Sequence, residues 1–213
     1  MDERADIKDT ARTEGFSDGV FSIAVTLLIL ELTVPRIEGI SSEGLLVALK
    51  DQLFPLLALS LSFATIFIMW VNHHRLFTRL HHVDGRIMAS NGFLLFLVTI
   101  CPFPTWLVAE YLGTPAANAA VGVYAAYFVV VNIAFNLLFE SAARSAHAAR
   151  HGLDEAVMRP LRRGLRFGFA AYMAAAVVAI WSAWASIGIC AILWVFWARN
   201  LFRPEAAIMG APQ

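Results

Sequence analysis

The chain has 213 residues, of which 59% are hydrophobic and only 15% charged, and its mean hydropathy is +0.67. A soluble domain is nearer half apolar and a quarter charged, so this is the composition of an integral membrane protein with little length left for a soluble domain. The 16 basic and 16 acidic residues cancel, which removes the electrostatic footprint that nucleic-acid binding requires.

Residues 1–18 alternate acids, bases and polar groups, with no short apolar core and small-residue cleavage site. The first apolar segment is therefore expected to be retained, not removed as a signal peptide. A span needs roughly 20 mostly apolar residues. The first runs from Phe16 to Val34 and the second from Leu53 to Asn72, with Pro55 in its first turn, where proline is tolerated. The third covers Ile87 to Leu107, with Pro102 and Pro104 near its end, and the fourth Ala119 to Phe139. The last apolar run, Phe167 to Trp197, is too long for one span. Its centre, Trp181 to Ser186, reads as an interfacial turn with an aromatic anchor, giving spans Leu161 to Ile180 and Ile187 to Leu201. With six spans, every lysine and arginine except Arg36 and Lys50 falls on the side of the N-terminus. Five spans would move Arg199 and Arg203 across and weaken that bias. The positive-inside rule thus favours six spans in a cell membrane with both termini cytoplasmic. No internal repeat appears. Residues 1–203 read as a single six-helix transmembrane domain and residues 204–213 as a short mobile tail. Cys101 and Cys190 lie in apolar segments and read as small buried hydrophobes, neither a disulfide framework nor a metal cluster.

Chemistry concentrates at the start of the first span, where Arg12, Ser17 and Asp18 sit at the mouth of an apolar helix. Lipid does not receive such groups unless protein or water takes them. At about 100° per residue, with Ile23 at zero, Leu27, Leu30, Val34 and Phe16 fall within about 40° of it, while Asp18 and Ser22 lie near −140° and −100°. The usual role of an apolar stripe is packing against lipid or other helices. With Asp18 and Ser22 tied inward, however, the Ile23 face points out of the subunit and can line the axis of a cyclic oligomer. Rings of Ile23, Leu27 and Leu30 then form a hydrophobic constriction, with Thr26 adding hydroxyls at its edge. Arg12 and Asp18 are expected to form a buried clamp that fixes how the helix packs.

The string Arg12-x-x-x-Phe16-Ser17-Asp18 resembles the signature of the transmembrane protein 175 potassium channels. Trp70-x-x-His73-x-x-x-Phe77 is similar to that family's second-helix motif, and Asn91 with Pro102-Phe103-Pro104-Thr105 to its third. The resemblance implies an all-α polytopic membrane protein in which the first helices line a central pore. Bacterial members carry one six-span repeat and form tetramers, so a homotetramer is implied. It also implies potassium as the permeant ion, no cofactor, Ile23 as the narrowest ring with Leu27 and Leu30 above it, and no carbonyl filter. Bacterial members discriminate potassium from sodium less sharply than animal ones. Arg12, Phe16, Ser17 and Asp18 would form a supporting network with Trp70, His73 and Asn91. Val121-Gly122-Val123-Tyr124 lacks the order of a carbonyl filter and opens the fourth span.

Other signals carry less. His73-His74 and His81-His82 lack the i, i+4 spacing of a helical metal pair, and His147 and His151 have it without a third ligand. Glu140 and Arg144 read as an ordinary i, i+4 pair, and Arg159, Arg162, Arg163 and Arg166 as a set that meets anionic headgroups. The alternative to a channel is a proton-coupled transporter using Asp18, His73 and Glu31 as a relay. Transporters favour repeats and helices broken at mid-depth by Gly or Pro, which the first two spans lack. No nucleophile–base set supports an enzyme.

Overall fold

The computed structural model describes residues 3–32, 41–80, 82–148 and 155–201. The described residues form helices and their connections. Helix α1 spans Glu3–Leu27 and tightens into a 3₁₀ turn over Leu28–Glu31. It starts well before the expected Phe16, because the polar N-terminal segment, rich in helix-forming Glu, Lys, Arg and Ala, continues the same helix beyond the apolar stretch. A short helix that the sequence reading did not foresee, α2 (Ser42–Asp51), precedes the second long one; the Ser41 hydroxyl caps it by accepting from the Gly44 amide at 3.1 Å. Helix α3 spans Leu53–Phe77 and carries Pro55 in its first turn.

Asp84 caps α4 (Gly85–Ile100), accepting from the Arg86 and Ile87 amides at 2.9 Å. The third expected span is not one regular helix. It breaks at Cys101, and α5 runs over Pro102–Tyr111. Pro102 has no N–H to offer the Val98 carbonyl, which accepts instead from the Cys101 amide at 3.2 Å. The Thr105 hydroxyl donates to the Cys101 carbonyl at the start of α5.

Helix α6 spans Ala117–Ala148, α7 Glu155–Val178 and α8 Ala183–Leu201. The last apolar run therefore folds as two helices, and their turn at residues 179–182 comes slightly earlier than the expected Trp181 to Ser186. Asn118 holds it, donating to the Ile180 carbonyl at 3.3 Å and accepting from the Ala183 amide at 2.9 Å. The expected tail, 204–213, lies outside the described residues.

Among the described residues, four stretches are long and apolar enough to cross a membrane: Thr10–Leu30, Pro55–Phe77, Gly85–Tyr111 and Ala117–Ser145; Ala183–Arg199 is a shorter apolar helix. Helix α6 is the central post, packed on α4, α5, α7 and α8, while α1 lies outside, against α3 and α4. Leu94, Val98, Ala134 and Leu138 are fully buried between α4 and α6. Cys101 and Cys190 are free thiols in this core.

Candidate functional site

Helix α1 packs through one narrow row. Ser17, Phe21, Ala24 and Leu28 are buried, at spacings of four, three and four that keep them on one helical face. On the wheel that row centres near 130° from Ile23. The opposite row is bare: Phe16 is 67% exposed, Ile23 59%, Leu27 53% and Leu30 72%. Thr26 is also exposed, and its hydroxyl donates back to the Ile23 carbonyl at 3.0 Å. Ser22, expected on the inward side with Asp18, is exposed instead, because the packed face lies on the Ser17 side of the helix.

The buried side of α1 is fastened by polar contacts to two other helices. The Trp70 indole N–H on α3 donates to Asp18 Oδ1 at 2.8 Å. One turn earlier on α1 and one turn later on α3, His74 Nδ1 lies 2.9 Å from Glu14 Oε1. The Trp70 and His74 rings stack, with centroids 5.6 Å apart. A second set joins α1, α4 and α3. The Asn91 amide donates to Ser17 Oγ at 2.9 Å, and Asn91 Oδ1 meets His73 Nε2 at 2.8 Å. Ser17 Oγ in turn donates to the Thr13 carbonyl at 2.8 Å.

These bonds determine their own direction. The Ser17 proton is spent on a carbonyl, so Ser17 accepts from the Asn91 N–H, and Asn91 must present its oxygen to His73. An amide oxygen only accepts, so His73 carries its proton on Nε2. His73 Nδ1 is buried without a hydrogen-bond partner among the described residues. The His73 ring is wedged between Phe21 and Phe77, at centroid distances of 5.4 and 4.2 Å.

Ser17, Asp18, Trp70, His73 and Asn91 are thus brought together, with partners up to 74 positions apart. Arg12 and Phe16 stand apart from this cluster. Arg12 is exposed, and among the described residues no hydrogen bond or ion pair joins it to Asp18, whose carboxylate is taken by Trp70. The Glu14–His74 contact was not foreseen. Its signal lay in the spacing, since Glu14 precedes Asp18 by one turn and His74 follows Trp70 by one turn in an antiparallel pair. Glu140 does not pair with Arg144 but with Arg162 of α7, through two contacts of 3.0 and 3.3 Å. Of the histidine signals, residues 81 and 151 and the side chain of residue 147 lie outside the described residues.

Residues 12–102 match the family model described as endosomal/lysosomal potassium channel TMEM175. A potassium channel from Chamaesiphon minutus is 40% identical over 93% of this chain and 98% of its own length. The crystal structure of a lysosomal potassium-selective channel TMEM175 homolog from that organism superposes with a TM-score of 0.77, covering 92% of this chain and 99% of the other. The human endosomal/lysosomal proton channel TMEM175 is 43% identical over 49% of this chain and 22% of its own length. This chain belongs to the TMEM175 family.

Proposed function

We propose that the protein is a passive potassium channel of the cell membrane. Six spans per subunit place both termini in the cytoplasm, and four subunits bring their α1 helices around a central pore. The observation that carries this reading is the two-sidedness of α1. One row is fastened inward by Ser17, Asp18 and their partners, and the opposite row of large apolar side chains is exposed among the described residues. Rings of Ile23, Leu27 and Leu30 then constrict the path, with Phe16 and Thr26 beside them and Arg12 at the cytoplasmic mouth. The names of the bacterial relatives support potassium as the permeant ion, and the placement of basic residues supports the orientation.

An aliphatic ring offers no ligands. An ion crossing it keeps some of its water or sheds it at a cost, and potassium holds its hydration less tightly than sodium. A tight apolar ring therefore penalises sodium more, and it can close by dewetting. A second reading, proton coupling through Asp18 and His73, draws on the buried Nδ1 of His73, which has no hydrogen-bond partner among the described residues.

Ion flux into liposomes separates the two. Passive potassium flux exceeding sodium flux, with the preference relaxed or the conductance raised in Ile23→Asn, is the expected result. Unchanged current and selectivity in Ile23→Asn would remove Ile23 as the constriction. Uptake driven only by a proton gradient would replace the channel with a transporter.

A further inference from the structure

The four arginines near the start of α7 do not act as one set. The Arg162 side chain is already neutralised by Glu140 of α6. Arg163 and Arg166 are exposed, and neither is paired with an acidic side chain among the described residues; Arg159 is exposed on the same side. Positions 159, 163 and 166 advance by four and three, so they share one face of the helix. Continuing that advance gives 170, 173 and 177. Ala170, Met173 and Val177 are all exposed, the last two at 41% and 47%. One outward stripe is therefore cationic for its first two turns and apolar for the next three.

We infer that this stripe of α7 binds an anionic phospholipid of the cytoplasmic leaflet, its phosphate held by Arg163 and Arg166 and an acyl chain lying along Ala170, Met173 and Val177. The placement in the cytoplasmic leaflet rests on the orientation proposed above. Charge complementarity selects the headgroup, since a guanidinium presents a planar fork that matches phosphate oxygens bidentately. The chemical order of the stripe selects a lipid over a free anion. Arginines at a helix end followed by apolar residues toward mid-membrane follow the order of headgroup and chain in a phospholipid. Arg163 and Arg166 lie only about 4.5 Å apart along the axis by helical rise, so one phosphate can meet both.

The test is a thermal melt of the full-length protein in detergent, with phosphatidylglycerol, phosphatidylcholine or inorganic phosphate added. Phosphatidylglycerol is expected to raise the melting temperature more than phosphatidylcholine does, and added salt to reduce the difference. In the double variant Arg163→Gln/Arg166→Gln that difference should fall severalfold, while Arg144→Gln, an exposed arginine on α6, should keep it. Arg163→Lys/Arg166→Lys should retain part of it, which separates lost charge from a damaged fold. An equal response to both lipids would overturn the inference, as would a full response in the double glutamine variant. Inorganic phosphate matching phosphatidylglycerol would replace the lipid with a free anion. The readout is independent of ion flux, so a protein that fails to conduct potassium can still pass this test, and one that conducts can fail it.

Discussion

Asn91→Leu probes the fastening of α1 with little change in side-chain volume. Asn91 is 2% exposed and His73 fully buried. The substitution leaves His73 Nε2–H facing a methyl group, and Nδ1 has no partner among the described residues, so the imidazole loses the hydrogen bond that Asn91 gave it. An orphaned buried donor costs about 1–3 kcal/mol. Ser17 loses an incoming N–H but keeps its own bond to the Thr13 carbonyl, so its share is near the membrane-protein average of roughly 0.6 kcal/mol. The expected loss is therefore about 2–3 kcal/mol. It should appear as a lower midpoint in a detergent unfolding titration of the purified protein. Asn72→Leu is the control: the Asn72 amide donates only to the Ile68 carbonyl of its own helix, and its loss should stay below about 1 kcal/mol. In a double-mutant cycle, Asn91→Leu and Ser17→Ala should couple by about 0.5–1 kcal/mol. If Asn91→Leu is no worse than Asn72→Leu, or the cycle is additive, the Asn91 bridge does not hold α1 in place.

Gly168→Ala should destabilise by about 1–3 kcal/mol, because its Cβ would sit 2.8 Å from Asn132 Nδ2 and 3.0 Å from the Trp197 ring; Gly164→Ala, with its nearest neighbour at 3.9 Å, should be close to neutral, and melting temperatures of the pair check the contrast. Trp70→Phe keeps the ring but leaves Asp18 Oδ1 without its donor, a loss of about 1.5 kcal/mol that the same titration would register. Asn118→Ala removes both side-chain bonds across the α7–α8 turn, so the Ala183 amide should lose hydrogen-exchange protection first. Unchanged protection there would show that the turn holds without it.

The parts of the fold readable in the sequence were those written in local signals. Apolar stretches located the long helices, and the Trp181–Ser186 region marked the α7–α8 turn. The starts and breaks were harder. Polar residues 3–15 carry helix propensity but no apolar period, so the first span was expected to start only at Phe16. Helix α2 is short and its sole strong signal is the Ser41 cap. Pro102 was visible, yet whether a proline merely bends a span or ends it depends on whether a neighbour can take the freed carbonyl; here the Cys101 amide takes that of Val98. At the candidate site, the motifs named Ser17, Asp18, Trp70, His73 and Asn91 but not their pairing, and they missed Glu14 and His74. Arg12 and Asp18 are six positions apart in sequence and opposite in charge, which made them an obvious pair, but Trp70 reaches the carboxylate from α3. Likewise Glu140 has Arg144 one turn away and instead takes Arg162 across the α6–α7 contact. Partner choice across helices is set by packing that no single segment encodes.

The two kinds of fastening on α1 have a mechanical meaning. Asp18 is joined to α3 and Ser17 to α4, so two bonds at neighbouring positions point to different helices. Together they index the rotation of α1 as a key in two slots. Turning it by one residue, about 100°, would carry both side chains away from their partners at once. In the assembly proposed above, twisting α1 alone to move the Ile23 row would therefore mean giving up both bonds. A tilt of whole subunits in that assembly, as the blades of an iris move, would leave both in place.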